Sequence, residues 1–308
     1  MANLRDIRDR ISSVKNTQQI TRAMKMVAAA RLRKAQDRMN DARPYTHKLD
    51  EIIARLTRRT EVDNPLFKSA EKPKNILLLV MGSDRGLCGG FNTNLFRVVE
   101  KKIYEDFTEH LEHETLSMIC FGKKTHDYFR ARKYPVIDHK IGFFDHLKYE
   151  HVHEVMNRII AQFKEDSWDE VYLAYNEFKS VIAQNRKIVK ILPVSPDTEK
   201  KTVPSHAGEA SGNNAAKKDL SDIDYLYEPK PDTILEYLLP LHINIQFWQA
   251  ALESFAAEQG ARMTAMDSAT ENAGDIISDL QLKYNQARQA AITTEISEIV
   301  SGAEALSE

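Results

Sequence analysis

The stretch Gly82-Ser83-Asp84-Arg85-Gly86-Leu87-Cys88-Gly89-Gly90 follows an apolar run and opens an amphipathic one. In that setting, backbone amides at a helix start can cradle phosphate. The glycines at 82, 86, 89 and 90 match neither GxGxxG nor GxxxxGK(S/T), so a tight, closely packed turn is expected there rather than a nucleotide cradle. Cys88 is a nucleophile by type, but no histidine lies close to it in sequence, and a buried or half-buried thiol is expected. His139, His146, His151 and His153 fall within fifteen residues. Ring nitrogens at such spacing hold a metal only if they converge, and His151-Val152-His153 reads as loop entering helix, where residues two apart diverge. No triad, paired-carboxylate site or HExxH is present. The expectation is therefore no catalytic, cofactor-binding or metal-binding residue in this chain.

The elements around these residues read as a small α/β domain. Residues 75 to 83, NILLLVMGS, form a buried-strand run, and Asn92 to Phe107 is amphipathic. Further strands are expected at Leu116 to Phe121, Pro135 to Ile141, Glu170 to Tyr175 and Lys187 to Pro193, with helices at His126 to Lys133 and His151 to Lys164. Such alternation predicts a largely parallel sheet covered by helices. Ser195 to Asp224 is rich in Ser, Gly, Asn, Pro and Lys and reads as a flexible loop.

The two ends read as long helices. Leu4, Ile11, Gln18, Lys25, Leu32, Met39, Thr46 and Ile53 form one heptad position. Ile7, Val14, Thr21, Ala28, Ala35, Ala42, Leu49 and Leu56 form the other, so residues 1–59 are a coiled-coil helix with a kink expected near Pro44. Gln18, Thr21 and Lys25 interrupt this seam together, and polar seam positions cost stability unless they fix register or meet a partner. From about 232, with Asp232 as the expected N-cap, a second helix runs to 308. Its stripe is Met263, Met266, Thr270, Ala273, Ile277, Leu280, Tyr284, Ala287 and Ala291, stepping over at the tip to Ile292, Ile296, Ile299, Ala303 and Leu306. At 1.5 Å per residue these helices would span roughly 80 and 110 Å, longer than a compact domain is wide.

Charge supports pairing of the two ends. Residues 1–59 hold 15 Lys+Arg against 6 Asp+Glu, and 232–308 hold 3 against 12, giving +9 and −9 within a chain whose net charge is −2. Opposite segments in one chain predict an intramolecular antiparallel coiled coil, with the longer C-terminal helix extending past its partner. Like-charged homodimers of either helix are disfavoured. The basic segment lacks interleaved aromatics, so no nucleic-acid partner is expected. The longest apolar run, Ile76 to Met81, is too short to span a bilayer, so membrane association is expected only through partners. The N-terminus carries no h-region or transit pattern, and Cys88 and Cys120 form no CxxC.

These segments resemble the gamma subunit of bacterial F-type ATP synthases over almost the whole chain. The similar stretches are IRDRISSVKNTQQITRAMKMVAAARLRKAQDRM with RPY, SDRGLCGGFNTNLF, DYLYEP, ESFAAEQGARMTAM and, most specific, ITTEISEIVSGA at 292–303. The resemblance implies an antiparallel coiled coil of the terminal helices (1–59 and 232–308) plus a central Rossmann-like α/β domain (60–231) that binds no nucleotide. It implies a rotating shaft, one copy per complex, standing in a hexamer of three alpha and three beta subunits. The foot would rest on epsilon and the membrane c-ring, with delta also in the complex, at the cytoplasmic face of the bacterial plasma membrane. By matching motif, Met24, Arg262, Arg288, Gln289, Thr293, Glu295 and Glu298 would meet the hexamer. Ile292, Ile296, Ile299 and Leu306 would form a bearing tip. The loop at 195–224 has no cysteine, unlike the chloroplast members with their regulatory dithiol insert, so thiol switching is not expected. The competing readings are a nucleotide-binding enzyme with coiled-coil arms, which would bind ATP as an isolated chain, and a free-standing coiled-coil adaptor, which would have no stoichiometric alpha and beta partners.

Overall fold

A computed structural model describes residues 4–59, 64–145, 147–194, 228 and 230–305. The loop expected at Ser195 to Asp224, His146 and Leu306 lie outside the described residues. In chain order the elements are α1 (Leu4–Arg59), a 3-10 turn (Pro65–Phe67), β1 (Ile76–Met81), α2 (Phe91–Asp106), α3 (Thr108–Glu112) and β2 (Leu116–Phe121). Then follow α4 (Lys123–Ala131), β3 (Val136–Lys140), α5 (Tyr149–Lys164), β4 (Glu170–Phe178), β5 (Gln184–Leu192) and α6 (Pro231–Ala305). They group into two compact units, Met1–Ala30 with Arg262–Glu308, and Arg31–Ala261.

In the unit Arg31–Ala261 the five strands lie in the order β3-β2-β1-β4-β5. The pairs β1–β2, β1–β4 and β2–β3 are parallel, and β4–β5 is antiparallel. All six side chains of β1 are buried, because the strand is central and covered on both faces, which is why its sequence is an unbroken apolar run. One face packs Leu78, Val80, Met118 and Cys120 against Leu95, Phe96 and Val99 of α2 and Phe129 of α4. The other face carries Met81 and Phe121, against which α6 lays Ser254 and Phe247. The Ser254 hydroxyl donates to the Met81 carbonyl at 3.3 Å, and the Phe121 and Phe247 rings lie 5.2 Å apart. Neighbouring α5 is tied to α6 by the Asn244 amide donating to Asn157 Oδ1 at 3.1 Å and by an edge contact of Tyr149 with Trp248. Each large aliphatic side chain buried this way contributes about 1.5–3 kcal/mol.

Every expected strand and helix is present, with shifted ends. The sheet is largely parallel, as expected, with the edge strand β5 antiparallel. The five-residue α3 and the 3-10 turn were not anticipated, being too short to show a period. α6 begins at Pro231, whose fixed φ and missing N–H suit a first helical position. Asp232 therefore sits in the first turn rather than at the cap. α1 continues as helix through Pro44.

In the unit Met1–Ala30 with Arg262–Glu308, the heptad register holds. Leu4, Ile7, Ile11, Val14, Gln18, Thr21, Lys25 and Ala28 are each buried or half-buried. On α6, so are Met263, Met266, Thr270, Ala273, Ile277, Leu280, Tyr284 and Ala287. The pairing is antiparallel: Arg8 donates to the Tyr284 hydroxyl at 2.7 Å, whereas Lys25 meets Asp267.

Candidate partner-contact surface

The polar interruption of the α1 seam has an answering set on α6. The hydroxyls of Thr21 and Thr270 lie 2.7 Å apart, and the Gln18 amide donates to the Thr270 carbonyl at 3.3 Å. Lys25 Nζ lies 2.5 Å from Asp267 Oδ1. A methyl group on Gly274 would stand 3.2 Å from Gln18 Nε2, so the glycine gives the glutamine amide its room. With one proton each, one hydroxyl donates across the seam and the other to a carbonyl of its own helix, either Thr21 to Gln18 O at 3.0 Å or Thr270 to Met266 O at 2.7 Å. The layer is thus polar yet satisfied, as a buried seam requires.

The expected contact residues fall into two settings. Met24 is half-buried on α1, and Arg262 is 8% exposed and engaged by interactions within the chain. Arg288, Gln289, Thr293, Glu295 and Glu298 all belong to the end of α6, where every described side chain from 288 to 303 is exposed. Thr293 turns its hydroxyl back to the Gln289 carbonyl at 2.9 Å, leaving Arg288 and Gln289 themselves directed outward. The tip residues Ile292, Ile296 and Ile299 are 47%, 56% and 67% exposed, an apolar stripe in water that is costly unless something covers it. Sequence reasoning missed Ile20, Met26 and Val27 on α1 and Ile276 and Leu282 on α6, which are exposed apolar residues off the seam. Their signal was present: large apolar side chains at heptad positions that the seam does not use.

In the other unit, the crevice beyond the C-terminal ends of β1 and β4 is where an open α/β sheet binds nucleotides, since strand order reverses there. Here it is filled from within. Cys88 and Phe91 pack on Ala257 of α6, with Phe178 and Ala261 closing the cluster. The Ser83 amide donates to Asn92 Oδ1 at 3.0 Å, the Asn92 amide to Ser83 Oγ at 2.7 Å, and Ser83 Oγ to the Arg85 carbonyl at 2.8 Å. Asp84 Oδ1 accepts from the Lys123 and Gly142 amides at 3.0 and 2.8 Å, so the loop's polar groups are engaged by the surrounding chain. A Cβ on Gly82 would lie 2.1 Å from Thr125 Oγ1, the close packing expected for this turn.

Of the four histidines, His139, His151 and His153 are described and do not converge. His139 stacks on His126 with ring centroids 4.2 Å apart, while His151 and His153 are exposed on α5. Among the described residues no three metal-ligating side chains gather, and no helix is long and apolar enough to cross a membrane. A cleft of about 280 Å³ has a basic rim of Arg31, Lys34, Arg38 and Lys148 over Phe144 and Leu252. Arg38 is pinned there by donating to the Leu147 carbonyl at 3.2 Å.

Residues 3–306 match the family described as ATP synthase. The chain is 45% identical over 307 residues to the ATP synthase gamma chain of Chlorobaculum parvum, covering 99% of each chain. It is 45% identical over 311 residues to the ATP synthase gamma chain of Salinibacter ruber, covering 100% of this chain and 99% of the relative. Among solved structures, a chain of the Euglena gracilis mitochondrial ATP synthase (OSCP/F1/c-ring, rotational state 3) matches with a TM-score of 0.66 at 18% identity. That match covers 98% of this chain and 94% of the other. A chain of the Tetrahymena thermophila mitochondrial central stalk and c-ring matches at 0.56 and 23% identity, covering 81% and 99%. At such identities the structural likeness is one of fold.

Proposed function

The chain belongs to the ATP synthase gamma chain family, and from that membership we propose that it is the central rotating shaft of an F-type ATP synthase. It catalyses nothing itself. It transmits rotation between a membrane c-ring and the alpha/beta hexamer, where ATP is made or hydrolysed. The observation that carries this reading is 45% identity over 99% of both chains, so the likeness runs along nearly the whole length of each.

The partners follow from the same reading: alpha, beta, epsilon and delta subunits and the c-ring, with one copy of this chain per complex at the cytoplasmic face of a bacterial plasma membrane. Residues 1–59 and 232–308 serve as the shaft's two helices and 60–231 as the domain beside them. The hexamer is met by Met24, Arg262, Arg288, Gln289, Thr293, Glu295 and Glu298. Ile292, Ile296, Ile299 and Leu306 act as a bearing. The exposure of the 288–303 segment supports that assignment, since an uncovered apolar stripe next to charged groups suits insertion into another protein. Arg262, being mostly buried, offers only its edge.

The test is purification from the native membrane in mild detergent. One copy of this chain should accompany three alpha and three beta subunits and a c-ring. Its recovery free of them would overturn the reading.

A further inference from the structure

We propose that Gln18, Thr21 and Lys25 of α1, with Asp267, Thr270 and Gly274 of α6, form a register clasp that sets the axial position of one helix against the other. They would thereby be positioning residues for the surface offered to the hexamer, an inference that rests on the shaft reading.

The rest of this seam is degenerate. On α1 the layers are Leu4, Ile7, Ile11, Val14 and Ala28, and on α6 they are Ala273, Ile277, Leu280, Tyr284 and Ala287, apolar except for the Tyr284 hydroxyl, which meets Arg8 at the exposed end of the seam. Sliding one helix by a heptad, about 10 Å at 1.5 Å per residue, would re-pair apolar with apolar. The three polar positions break that degeneracy. In the observed register the two threonine hydroxyls meet at 2.7 Å, the Gln18 amide finds the Thr270 carbonyl, and Lys25 finds Asp267. A heptad slip sets Thr21 against Met263 or Ile277 and Thr270 against Val14 or Ala28, and it parts the half-exposed Lys25 from Asp267. A single polar seam layer is known to dictate register in coiled coils. Gly274 is the independent observation. A glycine inside a long helix is unfavourable, yet here its missing Cβ admits the Gln18 side chain, and alanine would bring a carbon to 3.2 Å from Gln18 Nε2. The clasp is therefore built from both helices. It lies beside Met24 on α1 and below Arg288 and Gln289 on α6, so a slip would displace these groups relative to one another by about two helical turns.

The test uses the full chain in reconstituted ATP synthase, with spin labels at the exposed positions Arg22 and Ser278. With the native clasp, one narrow distance population is expected. In the variant combining Thr21→Val and Thr270→Val, which keeps the seam filled, a second, resolved distance population and a severalfold loss of ATP turnover are expected. The distance shift is smaller than the axial slip of about 10 Å because the labels are also separated laterally. Thr21→Ser with Thr270→Ser should restore both. Gly274→Ala is a milder variant that keeps every hydroxyl. It should broaden the distribution, and adding Gln18→Ala should narrow it again. An unchanged single distance in the valine variant and in Gly274→Ala overturns the clasp. A slipped distribution with unaltered turnover overturns the positioning role. Failure of the shaft reading itself would show differently, as absence of this chain from the purified complex whatever the distances.

Discussion

Gly82 and Cys120 show how single positions in the sheet unit are constrained. Gly82 closes β1 where a Cβ would collide with Thr125 Oγ1, a fully buried hydroxyl that donates to the Phe121 carbonyl at 3.0 Å. Gly82→Ala should cost about 1–3 kcal/mol by overpacking, read from urea unfolding, and Thr125→Ser should give no relief because the oxygen stays. Thr125→Ala in the same background should recover part of the loss. Burial pushes the Cys120 thiol from 9.0 up to about 12. Between those values the unfolded chain loses the proton and the native chain keeps it. Stability is therefore full below pH 9 and falls as pH rises, by about 1.4 kcal/mol per pH unit per proton. Denaturant melts at pH 8.5 and 10 should show a smaller decline in Cys120→Val than in the native chain. The sequence made Gly82 legible as a tight turn and Cys88 as a buried thiol. Gly274 was not legible, because a helical glycine reads only as a weak point worth about 1 kcal/mol until the side chain occupying its space is seen. The same holds for Gln18, Thr21 and Lys25, whose oddity in the seam was plain while their partners, 240 or more positions away, were not.

At the scale of elements, periodicity carried the long helices, since repeated heptads average out single exceptions, whereas orientation of short strands depends on loops whose ends are read poorly. With strands ending at Tyr175 and resuming at Lys187, the eleven intervening residues leave room for doubt. The actual gap, 179–183, is five residues and permits only a hairpin, closed by Ser180 and Ala183. The proposed contact residues rest on motif alone, and only structure separates the outward Arg288 from the mostly buried Arg262. Pro44 gives an element-scale prediction. It lies exposed inside α1, where it removes a backbone donor and crowds the preceding turn at a cost of up to about 3 kcal/mol. Pro44→Ala should therefore raise the thermal midpoint of the isolated chain. A lowered midpoint would mean that α1 needs the proline's local geometry.

For the molecule as a whole, the end of α6 is at odds with life as a free chain. Ile292, Ile296, Ile299 and Val300 stand in water, so the purified chain should self-associate, and light scattering should fall when Ile296→Ser and Ile299→Ser are combined. A shaft must also turn without being gripped. Apolar contacts at the tip are weakly directional and suit a bearing, whereas Arg288 and Gln289, one turn lower, can form directional bonds with a partner. Each charge-assisted bond is worth about 1.5–3 kcal/mol, and about 1.4 kcal/mol already biases an equilibrium tenfold. Deleting 301–308 should accordingly weaken assembly modestly and preserve rotation, seen as bead rotation on single complexes. Arg288→Ala with Gln289→Ala should lower steady-state ATP turnover severalfold while the complex stays whole on native gels. Native turnover by the double variant, in complexes of full subunit count, would remove Arg288 and Gln289 from the torque path and move that role to the exposed off-seam residues Ile20, Met26 and Val27.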